Sequence, residues 1–200
     1  MPQRGGRRRG AGRKPKGLKA LVSHAPRPRF HKPTPVHVTL RMRPHVWNLR
    51  SRRAFRRLAA CFSKSRGRFG ARLIEFSVQG NHLHLIVEAD DNGALSRALQ
   101  GLCIRIAKTL NAMMGRAGPI FADHYHSRLL RSPTELIHAI RNVLGNAAHH
   151  FAAQGTDRFS SAALVPAGRL TFLAVPLGWL ARSGPGPAPP AASRRQPGEA

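Results

Sequence analysis

The sequence predicts an α+β domain over residues 35–152, and three observations carry that reading. Apolar residues alternate over residues 36–42, 73–79 and 83–87, the period of half-buried strands. They recur every three or four residues over 51–65, 94–114 and 133–150, the period of amphipathic helices. Between the second and third strands lies Gly80-Asn81, a two-residue link of hairpin type, since both residues tolerate positive φ.

Ahead of this domain, residues 1–34 form a basic arm. Arg4, Arg7, Arg8, Arg9, Arg13, Lys14 and Lys16 stand among glycines and prolines with no acidic residue. Such a segment buries too little apolar surface to offset its ordering entropy, so it is expected to be disordered when free. Gly12-Arg13-Lys14-Pro15-Lys16-Gly17 loosely resembles an AT-hook. A nonspecific phosphate-binding tail is the preferred reading, with Arg13, Lys14 and Lys16 on DNA.

Pro35 opens the folded part. Val36, Val38, Leu40 and Met42 face inward on the first strand. Ser51 caps a helix of roughly 15 residues with Phe55, Leu58 and Phe62 as its apolar stripe. Arg52, Arg53, Arg56 and Arg57 make like-charge pairs at i,i+4, which disfavour an isolated helix. Compensation by DNA phosphate and a merely solvated face are both open. The second strand places Ile74, Phe76 and Val78 on one side. On the third, His82 and His84 share one face while Leu83, Leu85 and Val87 share the other. One face can pack on a core and the other can present two imidazoles to a metal ion. A half-exposed polar face has the same pattern, because ligation needs partners from elsewhere in the fold.

Asp90-Asp91-Asn92 starts the next helix, where Leu95, Leu99, Leu102, Ile106, Leu110 and Met113 read as core. Residues 126–131 read as a short strand after Phe121-Ala122-Asp123-His124-Tyr125. Ser132-Pro133-Thr134-Glu135 is a capping box with proline at the first helical position. The last helix is two-sided, with Leu136, Ile140, Val143 and Ala147 on one stripe. His138, Asn142, Asn146, His149 and His150 lie opposite. Gly145 in mid-helix costs about 1 kcal/mol relative to alanine, so a close approach is expected there. Residues 153–182 form a C-terminal extension, with Phe172 and Trp179 as candidates to pack on the domain. Residues 183–200 are Pro/Gly/Ala-rich and expected to be disordered.

The chain has 200 residues, 42% of them hydrophobic, which suits one domain with tails. Its 34 Lys and Arg against 8 Asp and Glu give a formal charge of +26. That imbalance calls for a polyanionic partner, nucleic acid first and an anionic membrane surface second. Charge alone separates neither DNA from RNA nor enzyme from binder. Cys61 and Cys103 form no C-x-x-C, which excludes a zinc ribbon and points to buried thiols in a reducing compartment. No run approaches the ~20 apolar residues of a membrane span. The N-terminus lacks a secretory core, so a cytoplasmic, nucleoid-associated protein is expected. An organelle transit peptide is also Arg-rich, but the glycines and prolines here oppose its amphipathic helix.

The order strand, helix, His-hydrophobic-His hairpin, long helix, strand and polar-faced helix resembles the HUH single-strand DNA transposases. These are the tyrosine transposases of bacterial insertion sequences, including the REP-associated group. Three segments within residues 36–150 carry the resemblance. They are Gly80-Asn81-His82-Leu83-His84-Leu85-Ile86-Val87, Phe121-Ala122-Asp123-His124-Tyr125-His126-Ser127-Arg128 and Ile140-Arg141-Asn142-Val143-Leu144-Gly145-Asn146.

The resemblance implies a ferredoxin-like antiparallel sheet with packed helices and a basic groove for single-stranded or hairpin DNA. It implies a homodimer, and no membrane partner. It implies that His82 and His84 bind Mg²⁺ or Mn²⁺, with Asn146 at the third position. Imidazole and amide donors suit those ions and leave positions for a phosphate oxygen. It further implies DNA transposition by single-strand cleavage and rejoining, with a tyrosine one turn before the third ligand as nucleophile. Here that position is Asn142, and an amide forms no phosphoester. Tyr125, the single tyrosine of the chain, is a substitute candidate, and activated water is another. The functional alternatives are therefore a transposase or single-strand endonuclease, and a catalytically dead derivative that binds DNA. A third, an RNA-binding basic protein, rests on charge and would call for exposed aromatics, which are 6% of residues.

Overall fold

The computed structural model describes residues 27–151 and 155–164. Its elements are β1 (Thr34–Arg41), α1 (Arg52–Ser65), β2 (Ala71–Val78), β3 (His82–Ala89), α2 (Asn92–Met114), β4 (His126–Leu129) and α3 (Pro133–Phe151), then a 3-10 turn at Ser161–Leu164. Every pairing is antiparallel, and the sheet order is β2-β3-β1-β4. The βαββαβ succession with that order is the ferredoxin-like arrangement expected, and α3 is added to it.

Strand alternation makes the two sheet faces different. Val36, Val38, Leu40, Phe76, Val78, Leu83 and Leu85 face the larger core, which α1 and α2 close with Leu58, Phe62, Leu99 and Ile106. Each such side chain stabilises the fold by about 1.5–3 kcal/mol when fully buried. On the opposite face α3 lays Leu136, Ala139 and Val143 over Ile86 and Leu130.

Local chemistry starts each helix where the sequence predicts. Ser51 accepts from the Ala54 N–H, and Asp91 accepts from the Ala94 N–H. Gly115 ends α2 in the left-handed region at φ 63°. Ser132 Oγ accepts from the Glu135 N–H at 3.2 Å. Glu135 reaches back to the Arg131 N–H at 2.7 Å, one residue before the cap.

Several expectations change. Ile74 does not share a side with Phe76 and Val78. A β-bulge between Leu73 and Glu75 turns Ile74 toward the α3 cluster, while Phe76 stays in the larger core. The Gly80-Asn81 turn uses no positive φ. Its carbonyls accept from the Leu49 N–H at 2.9 Å and the Met42 N–H at 2.8 Å, so neighbouring backbone holds the turn. Among the described residues nothing lies within 4 Å of a Cβ added at Gly145.

Contacts with the domain also reach back before Pro35. Phe30 is buried, and its N–H donates to Asn92 Oδ1 at 2.8 Å. Asn92 Nδ2 donates in return to the Pro28 carbonyl at 2.9 Å. Residues 155–164, where sequence periodicity predicts no element, run along the outer edge of β2. The Val78 N–H donates to the Phe159 carbonyl at 2.9 Å, and Ser77 bridges to Ser160. Arg50 and Asp157 fasten the segment through two bonds of 2.8 and 2.9 Å. An edge strand is thereby covered.

The arm residues Arg13, Lys14 and Lys16 lie outside the described residues. So do Phe172, Trp179, the tail 183–200 and the side chains of Ala147, His149 and His150. Among the described residues no helix is long and apolar enough to cross a membrane.

Candidate functional site

The His pair lies at the turn end of β3, on the face that α3 covers further along. His82 and His84 are half-buried, and their ring centroids stand 4.8 Å apart, edge to face. His82 Nδ1 lies 2.9 Å from Asn81 Oδ1. An amide oxygen only accepts, so this contact calls for the proton on Nδ1. His84 Nδ1 lies 3.1 Å from His37 Nε2 and 3.3 Å from Thr39 Oγ1. The His37 and His84 rings stack at 5.3 Å with 27° between their planes. Burial lowers the His37 pKa from its ordinary value, and the charges of His126 and Arg128 lower it further.

Cross-strand register builds the rest of this strip. Arg41 pairs with His82, Thr39 with both His84 and His126, and His37 with Arg128. Arg41, His126 and Arg128 are exposed. Arg128 also reaches Glu135 at 3.2 Å, a surface pair. Guanidinium and imidazole side by side are chemistry for phosphate oxygens. At its other end β3 is closed, with Ile86 under α3 and Glu88 buried on Arg72 at 2.8 Å. The strip therefore opens at the Gly80-Asn81 turn. His37, Thr39, Arg41 and Arg128 were not singled out from sequence as site residues. The signal was present, because alternation that turns Val36, Val38 and Leu40 inward turns His37, Thr39 and Arg41 to the His face.

The donors fit a divalent ion. An imidazole that donates from Nδ1 to a neighbouring acceptor ligates through Nε2, the usual arrangement around bound metals. Among the described residues no three His, Cys, Asp or Glu side chains gather into a cage. An amide oxygen, water and a phosphate oxygen are donors that would complete a divalent ion's shell beside two imidazoles. α3 packs across β2 and β3 on this face. It carries Asn142, exposed, and Asn146, half-buried one turn later.

Other sequence candidates fall elsewhere. Tyr125 packs into the larger core, on the opposite face of the sheet. Arg27 stacks over its ring at 4.0 Å and donates to its carbonyl at 3.1 Å, while Ser96 Oγ lies 3.5 Å from the phenol oxygen. Within one chain the sheet separates Tyr125 from the His pair. Arg52, Arg53, Arg56 and Arg57 are exposed on α1, also across the sheet from the histidines. Beside Tyr125 lies an apolar cavity of about 270 Å³ lined by Leu40, Leu99, Cys103 and Phe121. Burial pushes the Cys103 thiol up to about 11, so it is inert there.

No family model matches this sequence, and no curated protein does. Among solved structures the chain is similar to a REP-associated tyrosine transposase bound to a REP hairpin. The TM-score is 0.58 at 17% identity, covering 77% of this chain and 92% of that one. It is also similar to a candidate transposase from Deinococcus radiodurans R1, with 11% identity, TM-score 0.42 and coverage of 58% and 91%. The first of these comparisons shows that the chain shares the fold of that transposase.

Proposed function

We propose that this chain is a transposase-like DNA-binding protein that takes single-stranded or hairpin DNA and a divalent ion on its His face, without a covalent tyrosine step. One observation carries the reading. The His pair opens onto the strip of Arg41, His126 and Arg128, while the position one turn before Asn146 is Asn142. The hairpin bound by the structure of the same fold, and the +26 charge, support DNA as the partner.

His82 and His84 would hold Mg²⁺ or Mn²⁺ through Nε2, with the Asn146 amide oxygen as a third donor. A bound ion supplies positive charge beside a phosphodiester. Arg41 and Arg128 grip backbone phosphates and set the strand's register. Asn142 donates and accepts hydrogen bonds but cannot take a phosphoryl group. A homodimer belongs to the same proposal. Asn142 leaves the nucleophile's position without a hydroxyl, and a second reading has activated water cleave the strand.

The test uses full-length protein, Mn²⁺ and labelled hairpin oligonucleotides, resolved on denaturing gels with and without protease. Salt-sensitive binding without protein-linked DNA is expected. An adduct that disappears in Tyr125→Phe would overturn the proposal. Cleavage without an adduct would select the water reading, and absence of binding would refute both.

A further inference from the structure

His37 is the third imidazole of the strip, and its Nε2 meets the Nδ1 of His84 at 3.1 Å. Two ring nitrogens at that distance share one proton. Either His84 donates to His37 or His37 donates to His84. We infer that His37 is a positioning residue: its Nε2 accepts the Nδ1 proton of His84 and so sets the tautomer whose lone pair lies on the ligating Nε2. The inference rests on the proposed role of His82 and His84 in metal binding.

The contacts around His84 Nδ1 point to the direction of the bond. Thr39 Oγ1 lies 3.3 Å from the same His84 Nδ1. A nitrogen that accepts has one lone pair in the ring plane, and two donors could not both use it. A nitrogen that donates can share its proton between two acceptors in a three-centre bond. His37 Nε2 and Thr39 Oγ1 can both accept. Both bonds are therefore satisfied when His84 carries the proton on Nδ1. The neighbouring ligand is held the same way, since Asn81 Oδ1 fixes the Nδ1 proton of His82 at 2.9 Å. The 27° stack of the His37 and His84 rings adds an orientation that a lone acceptor would not impose. Antiparallel pairing places Thr39 opposite His84 and His37 one step along the same face, so backbone register delivers both acceptors.

The same hydrogen bond predicts what its removal does. Without the acceptor, His84 can place its proton on Nε2, where it blocks ligation. Partners of this kind typically contribute about 10–100-fold to metal affinity.

The test reads the tautomer directly. Uniformly ¹⁵N-labelled full-length protein, metal-free at about pH 8, is examined by two-bond ¹H–¹⁵N correlation, which separates protonated from unprotonated ring nitrogens. Wild type is expected to show His84 protonated on Nδ1. His37→Ala and His37→Leu should shift it toward Nε2. His37→Gln, whose amide oxygen reaches the same place, should restore it. Mn²⁺ affinity, read by EPR of free ion, should fall about 10–100-fold in the first two and hold within about threefold in His37→Gln.

The leucine variant fills the space, so it decides the matter if alanine disturbs folding. A wild-type His84 protonated on Nε2, or a tautomer unmoved in both apolar variants, overturns the inference. Wild type that binds no Mn²⁺ would instead sink the metal site proposed above, while the tautomer of the metal-free protein still decides the role of His37.

Discussion

Asp157→Ala tests whether residues 155–164 hold the domain's edge or merely rest on it. The Asp157 carboxylate takes two bonds from Arg50, at 2.8 and 2.9 Å, and its side chain is 3% exposed against 13% for the arginine. Asp157 also accepts from the Phe159 N–H at 3.0 Å. Arg50 in turn donates to the Val78 carbonyl at 3.0 Å and stacks over Phe159 at 4.6 Å. Removing one member of a pair this buried costs about 3–5 kcal/mol, because a desolvated charge loses its counterion. With a urea slope of about 2 kcal/mol per molar, a loss near 4 kcal/mol lowers the unfolding midpoint by about 2 M. Asp157→Asn keeps an acceptor for Phe159 and should fall between the two. Circular dichroism in urea reads the midpoints. A shift under about 0.5 M would refute the reasoning, since it would mean that water already screens the pair.

Leu136→Ala removes the anchor of α3 and should cost about 2–5 kcal/mol. Its effect should appear first as faster amide exchange in α3 and as weaker Mn²⁺ binding, and unchanged exchange would refute the docking role. Glu75 gives the fold a dependence on pH. Burial raises its pKa, and the hydrogen bond from Ser161 offsets this in part. With the folded pKa above the unfolded one, the stability it lends is fully present below the unfolded value and is lost as pH rises through the folded value. Glu75→Gln should therefore gain on wild type as pH rises above the ordinary glutamate value, and a pH-independent gap in urea midpoints would refute this. Removing residues 1–26 should make the salt dependence of DNA binding less steep, by about 0.7 for each phosphate of a single strand that the arm neutralises. An unchanged slope would show that the arm is not on the phosphates.

The sheet was legible because period-two patterning survives wherever one face is buried. Val36 to Leu40 and Leu83 to Leu85 alternate, and the structure pairs them in register. Ile74 broke the pattern because a bulge inserts a residue that local hydrophobicity cannot reveal. The turn at Gly80-Asn81 was located correctly but explained by the wrong cause, since its hold comes from Met42 and Leu49, far along the chain. Residues 155–164 were unreadable for a similar reason. Their fastening is to partners far off in sequence, the Arg50–Asp157 pair 107 residues apart and the edge of β2. The His pair showed itself by spacing, whereas His37 became visible only when register set β1 beside β3.

The partition of charge by the sheet has a consequence for how DNA can lie. The arginines of α1 stand across the sheet from the histidines, so no flat path joins them. The two faces meet at the Gly80-Asn81 turn. There the Leu49 N–H holds the Gly80 carbonyl at 2.9 Å and Arg50 holds Val78 at 3.0 Å, immediately before α1 begins. Arg52 and Arg53 occupy the first turn of that helix, which contains no acidic residue. Arg56 and Arg57 lie a turn further away, about 6 Å along the axis at 1.5 Å per residue. A strand bound at the His pair that continues around the turn end meets the first two before the second two. Arg52→Ala with Arg53→Ala should then weaken binding of a short hairpin more than Arg56→Ala with Arg57→Ala, although each pair removes the same charge. Purely long-range attraction would weaken both variants equally, within a Debye length of about 8 Å. Equal losses across a salt titration would place the DNA along the outer face of α1 rather than around the turn.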